Sequence, residues 1–119
     1  MDALTTGAIV AGLGVALGAF GAHALRRRLG ERADVYRTGV HYQMIHGLAL
    51  VGLGVWQRAG GAPPAAATAG WLWLAGVVLF SGSLYVLSLR RVAWLGPVTP
   101  IGGLVLLAGW AACVRAALG

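Results

Sequence analysis

The stretch ATAGWLWLAGVVLFSGSLYVLSL, residues 67–89, carries no charged side chain. As a helix rising ~1.5 Å per residue, it is long enough to cross the ~30 Å hydrocarbon layer of a bilayer. It lacks the strict alternation of a barrel strand. In lipid the backbone must satisfy its own hydrogen bonds, so the stretch reads as a transmembrane helix.

Three more runs of the same kind lie on either side. They are ALTTGAIVAGLGVALGAFGAHAL (3–25), GVHYQMIHGLALVGLGVW (39–56) and TPIGGLVLLAGWAACVRAAL (99–118). The composition agrees: 59% of residues are hydrophobic and only 10% charged, against about 25% charged in soluble domains. The chain of 119 residues is therefore expected to be one all-α transmembrane domain, a four-helix membrane bundle. Thr99 and Pro100 look like the N-cap and first residue of the last span.

All nine basic residues are arginines, and they set the expected direction. Arg26, Arg27, Arg28, Arg32 and Arg37 flank the first break, and Arg90 and Arg91 flank the third. Only Arg58 and Arg115 lie toward the opposite side. Counting arginines per loop places the first and third loops in the cytoplasm. The chain then forms two out-in-out hairpins with both termini outside. Trp56, Trp71 and Trp73 are expected at the outer interface and Trp94 at the inner one. Although AHA at 22–24 resembles a cleavage site, Asp2 precedes span one and the basic cluster follows it. That is the reverse of a signal peptide, so the span is expected to be retained.

The net charge of +6 belongs to these loops rather than to a wet basic stripe, which excludes nucleic acid as a partner. Arg26–Arg28, Arg90 and Arg91 are topology signals that also suit anionic lipid head groups. The lipid bilayer is the expected partner, with a second copy or another membrane protein beside it.

Twenty glycines fit membrane helices, where small residues let backbones approach. Gly14, Gly18 and Ala22 form an expected packing stripe on span one, and Gly7 and Ala11 a shorter one. Gly47, Gly82, Gly102 and Gly103 are expected to serve packing on the other spans.

Polar side chains inside hydrocarbon face the protein interior and pair there. His46 lies nine residues past Arg37, about 13 Å into the membrane at 1.5 Å per residue. Ser81 is at similar depth before Arg90. Tyr42, Gln43 and His46 are spaced to share a face, and spans two and three can present them to Ser81, Ser83 and Tyr85. With His23 these form the expected polar or ligand-binding cluster. His41 is rotated away from His46 by ~140° and points toward the interface. His46 is read as an interhelical hydrogen-bonder partnered by Ser81, Ser83 or Tyr85. As an alternative it is the centre of an oligomeric solute or proton-linked transporter.

Catalysis finds no support. Asp2, Glu31 and Asp34 are terminal or in loops, and a serine–histidine pair without an orienting carboxylate is weak evidence for a nucleophile. No Cys/His set has zinc spacing, and Cys113 reads as a small apolar residue. No metal or cofactor is expected, and no enzyme.

The motifs GAFGAHAL (18–25), YQMIHGLAL (42–50), FSGSLY (80–85) and TPIGGL followed by GW (99–104, 109–110) resemble a small four-span membrane-protein family of unknown function. That family includes bacterial YgdD and YwdK and animal transmembrane protein 256. The resemblance touches all four spans. It implies a multi-pass protein of the bacterial inner membrane and supplies no activity. The expected role is non-enzymatic: structural, accessory, or lipid- or partner-binding.

Overall fold

Asp2 begins the first helix. Its carboxylate accepts hydrogen bonds from Leu4 N at 3.2 Å and Thr5 Oγ1 at 2.6 Å, satisfying a donor that the first helical turn leaves free. From there the computed structural model, which describes all 119 residues, is helical and contains no strand. Four long helices run Ala3–His23 (α1), Ala33–Ala59 (α3), Pro64–Leu89 (α4) and Val98–Leu118 (α5). A one-turn helix, Arg26–Leu29 (α2), and a tight turn, Gly30–Arg32, join α1 to α3. Ala3–His23, Pro64–Leu89 and Ala93–Leu118 are long and apolar enough to cross a membrane. α3 contains the stretch 39–56 and is longer, at 27 residues, but its first half carries the chain's polar residues.

The ends follow from local chemistry. Gly60 and Gly61 adopt φ of +91° and +84°, a region costly for any residue with a Cβ, and so turn the chain from α3 into α4. Pro64 stands in the first turn of α4, where its missing N–H removes no hydrogen bond. α5 starts at Val98 rather than Thr99, and no side chain caps it. Thr99 has another use: its hydroxyl lies 2.6 Å from Ser83 Oγ on α4.

The helices pack in chain order: α1 on α3, α3 on α4, α4 on α5. Both hairpin turns and seven arginines lie at one end. The two termini, the Gly60–Gly61 turn, Arg58 and Arg115 lie at the other. The molecule measures 48 × 27 × 18 Å.

Missing side chains decide how closely the helices approach. A Cβ built on Gly47 would lie 2.7 Å from Ala11 N, and one on Gly7 would lie 2.5 Å from Val51 N. Gly54 meets Leu4, Gly14 meets Met44, Gly18 meets Val40 and Gly21 meets the Tyr36 ring. These pairs run in opposite chain directions, so α1 and α3 are antiparallel. The seam on α1 is Gly7, Ala11, Gly14, Gly18 and Gly21, with spacings of four and three. Ala22 is exposed, contrary to the expected stripe. A strict four-residue repeat drifts ~40° around a helix at each step, while alternating four and three stays on one face.

The α4–α5 hairpin repeats the device. A Cβ on Gly76 would be 2.5 Å from Leu106 Cδ2, one on Gly102 2.5 Å from Phe80 N, and one on Gly109 2.5 Å from Trp73 Cδ1. Gly103 meets only the edge of the Phe80 ring, at 3.7 Å, and Gly82 faces open space. Gly82 therefore makes no close helix contact, contrary to expectation. Trp73 also departs from expectation. It is buried at 2% exposure in the core with Leu50, Leu53 and Leu106, because Gly109 leaves room for its indole. Trp71 and Trp94 are exposed.

Gly47→Leu is expected to lower stability by about 1–3 kcal/mol, the usual cost of overpacking. Gly82→Ala is expected to change it by less than about 0.5 kcal/mol. Thermal unfolding in a mild detergent checks both.

Asp2 also binds Arg58 Nη2 at 2.7 Å, tying the start of α1 to the end of α3. The Thr5 hydroxyl, and after it Arg58, hold the Asp2 carboxyl below its ordinary value. A carboxyl depressed by folding adds stability above its unfolded pKa and loses it as pH falls through the folded one. The difference in unfolding temperature between wild type and Asp2→Asn is thus expected to be constant from neutral pH to about pH 5 and to shrink toward zero in stronger acid.

Candidate functional site

The polar residues of α3 and α4 are spread over every helix interface. Gln43 is buried and faces α1 and α4 together. Its Nε2 donates to Val10 O at 2.9 Å, and its Oε1 accepts from Tyr85 Oη at 2.5 Å. One amide thereby joins three helices. Tyr36 donates to Leu17 O on α1 at 2.5 Å, and its ring lies 5.2 Å from that of Tyr85. Ser81 donates to Gly39 O at 2.7 Å, where Gly39 lets α4 approach α3. Ser83 donates to Phe80 O at 2.8 Å, so Thr99 supplies the proton in the hydroxyl pair that joins α4 to α5. Ser88 donates to Tyr85 O at 2.7 Å.

His46 is buried and turns toward α5. Its partner is Trp110, not Ser81, Ser83 or Tyr85. Trp110 Nε1 donates to His46 Nε2 at 3.0 Å, and His46 Nδ1 lies 2.8 Å from Tyr42 O. An indole nitrogen can only donate, so Nε2 must accept and Nδ1 must carry the proton to the carbonyl. One ring nitrogen donates and the other accepts, which is the hydrogen-bonding pattern of neutral imidazole. The Trp110 and Trp73 rings pack 4.5 Å apart, tilted by 55°. The Trp73 Nε1 atom is buried without an acceptor.

Tyr42 lies edge-on to Phe80 with ring centres 4.6 Å apart, and its hydroxyl has no partner within the protein. It shares the α3–α5 side with His46. Gln43 looks the other way, so the single face expected of Tyr42, Gln43 and His46 is split. His23 is exposed at the arginine end of α1 and stands outside the network, and His41 is exposed too. No three His, Cys, Asp or Glu side chains come together to hold a metal.

Two open cavities follow the side between α3 and α5. One, of about 540 Å³, is walled by Tyr42, His46, Phe80, Gly103, Leu107 and Trp110 among others. A smaller one, of about 230 Å³, lies beyond Trp110 against Trp56, Trp73 and Cys113. The His46–Trp110 pair stands between them. Sequence reasoning missed Trp110, Thr99 and Tyr36 as hydrogen-bonding partners. The signal for Trp110 was available in part: an indole donor in an apolar run needs an acceptor, and His46 and Ser81 are the acceptors at its depth.

A family model described as a protein of unknown function, DUF423, matches residues 17–103. The UPF0382 membrane protein YwdK of Bacillus subtilis (strain 168) is 44% identical over 113 residues, covering 94% of this chain and 92% of that one. The UPF0382 membrane protein SH2409 of Staphylococcus haemolyticus is 47% identical over 105 residues, covering 87% and 84%. The UPF0382 inner membrane protein YgdD of Escherichia coli (strain K12) is 43% identical over 103 residues, covering 82% and 74%. No solved structure matches.

Double-mutant cycles on His46→Phe and Trp110→Phe are expected to give a coupling of about 0.6 kcal/mol, the average for a buried hydrogen bond in a membrane protein. Gln43→Leu removes two interhelical bonds and leaves the Tyr85 hydroxyl unpaired. It is expected to cost about 1–3 kcal/mol, as for an unsatisfied buried group. Unfolding in mixed micelles measures both.

Proposed function

The chain belongs to the DUF423 family of membrane proteins and is a multi-pass inner-membrane protein, and from that premise we propose a four-span, non-enzymatic accessory protein that binds lipid or a membrane partner. Both termini lie outside the cytoplasm and the arginine end lies within it. α3 is the fourth span. Its polar residues do not bar it from the bilayer, since Gln43, His46 and Tyr36 are turned inward while Ile45, Leu48 and Val55 are exposed.

One observation carries the non-enzymatic reading. Apart from the Tyr42 hydroxyl, the polar groups that face neighbouring helices at membrane depth are engaged in holding those helices together. Gln43, Ser81 and Tyr36 bond to main-chain carbonyls of neighbouring helices, and both His46 nitrogens are engaged. A proton carrier needs a ring nitrogen that can exchange partners, and a nucleophile needs a base beside it. Neither is supplied by this arrangement. A structural lock that leaves one apolar trough open to lipid is what the residues do support.

Two measurements test this. In a Cys113→Ala background, Ala62→Cys is expected to react with a membrane-impermeant maleimide in intact cells, and Ala93→Cys only after lysis. Reaction of Ala93→Cys in intact cells sinks the topology. In proteoliposomes, wild type and His46→Phe are expected to show the same proton permeability. A flux present in wild type and lost in His46→Phe would establish transport instead.

A further inference from the structure

The trough beside His46 continues toward the arginine end. A second open cavity there, of about 840 Å³, includes Arg32, Leu87, Arg91 and Thr99 in its wall. The two cavities share Pro100. Both are walled by α3, α4 and α5, and end to end they offer a path that is cationic at its mouth, at Arg32 and Arg91, and mostly apolar up to the His46–Trp110 bond. We propose that this path seats an anionic phospholipid of the cytoplasmic leaflet, with its phosphate at Arg32 and Arg91 and one acyl chain lying along Gly103 and Leu107 as far as Trp110. The inference rests on the four-span, lipid-binding reading above and gives it a site and a head-group charge.

Three observations support it. The first is charge. The only ion pairs in the protein are Arg37–Asp34 and Arg58–Asp2, so neither Arg32 nor Arg91 has a carboxylate partner. Arg32 is also fixed in place: its Nη1 donates to Leu87 O at 2.6 Å, in the last turn of α4. That bond holds a guanidinium at the mouth and leaves its remaining N–H groups for a phosphate. Basic pockets between helices on the cytoplasmic side suit anionic head groups.

The second is depth. From Pro100 to Trp110 is ten residues of α5, or ~15 Å, which is half of a ~30 Å hydrocarbon layer. The trough is therefore as long as one leaflet is deep. The third is shape. Gly103 gives the trough its floor, since a Cβ there meets only the Phe80 ring edge at 3.7 Å. A chain lying on it would contact Phe80 and Trp110, which stand in the same wall. A helix from a second copy fits less well. It would bring a second cluster of seven arginines against the first.

The test uses the full-length protein in detergent micelles doped with equal phosphatidylglycerol and phosphatidylcholine, with retained lipid counted by native mass spectrometry. One phosphatidylglycerol is expected to be retained about thirtyfold over phosphatidylcholine, the ratio set by ~1 kcal/mol for each of the two arginines at the head-group level. Arg91→Gln, an exposed substitution that leaves the core intact, is expected to cut that preference at least threefold. Gly103→Leu, which fills the trough, is expected to abolish retention, and Gly82→Leu, on an open face elsewhere, to leave it unchanged. Equal retention of the two lipids overturns the proposal, as does phosphatidylglycerol retention indifferent to Gly103→Leu. A dimer that Gly103→Leu dissolves gives the trough to a second copy and also overturns it. The maleimide and flux measurements read the four-span accessory role separately, so a failure here leaves that reading standing.

Discussion

Helices in a bilayer gain little from burying apolar surface against one another, because lipid is as apolar as leucine. What draws them together is close packing, and here close packing depends on glycine. Gly7, Gly47 and Gly54 in one hairpin, and Gly76, Gly102 and Gly109 in the other, bring backbone against neighbouring backbone or side-chain stem at distances no Cβ permits. The polar network is a consequence of that approach. Gln43 reaches Val10 O, and Tyr36 reaches Leu17 O, because α1 lies against α3 with nothing between. Ser81, with a short hydroxyl side chain, reaches Gly39 O because Gly39 admits α4.

Most of these side chains choose main-chain carbonyls. A helical carbonyl already accepts from the N–H four residues on, but it keeps a second lone pair. A buried donor can therefore be satisfied by any helix that comes near enough, without a dedicated partner residue. This lowers the cost of carrying polar groups through hydrocarbon. It also means that a single polar side chain marks an interface without naming what lies across it.

That property decides how much could be read from the sequence. The helical class followed from run length, because a ~30 Å layer sets helix length directly. Gln43, His46, Ser81, Ser83 and Tyr85 were legible as inward-facing because hydrocarbon forbids them to face out. Their partners were not legible, because carbonyls carry no residue type. Only the Gln43–Tyr85 pair joins two residues of the expected cluster across helices. His46 was set against α4 in expectation, yet its partner is on α5. Rotation about the helix axis could not be fixed from spacing alone. The same loss of rotational information explains Ala22, which a four-residue repeat placed on the seam and the 3.6-residue turn carries off it. Trp73 was assigned to the interface from its residue type, and the absent side chain at Gly109 took it inside.

The three packed interfaces are not equivalent to the contact between α3 and α5. α1–α3 and α4–α5 are sealed by glycines, and α3–α4 by Gly39 and Gly70 with the Ser81 and Tyr85 bonds. α3 and α5 meet through His46 and Trp110 and the rings stacked around them. One hydrogen bond of modest strength and a set of ring edges therefore hold a side with open cavities above and below its contact. Separation there breaks no glycine contact, whereas separation of α1 from α3 or of α4 from α5 breaks several close backbone approaches. The polar residue deepest in α3 thus stands at the most separable contact in the molecule. Its neutral, doubly engaged ring acts as a latch between two halves of a trough rather than as a group waiting for a proton.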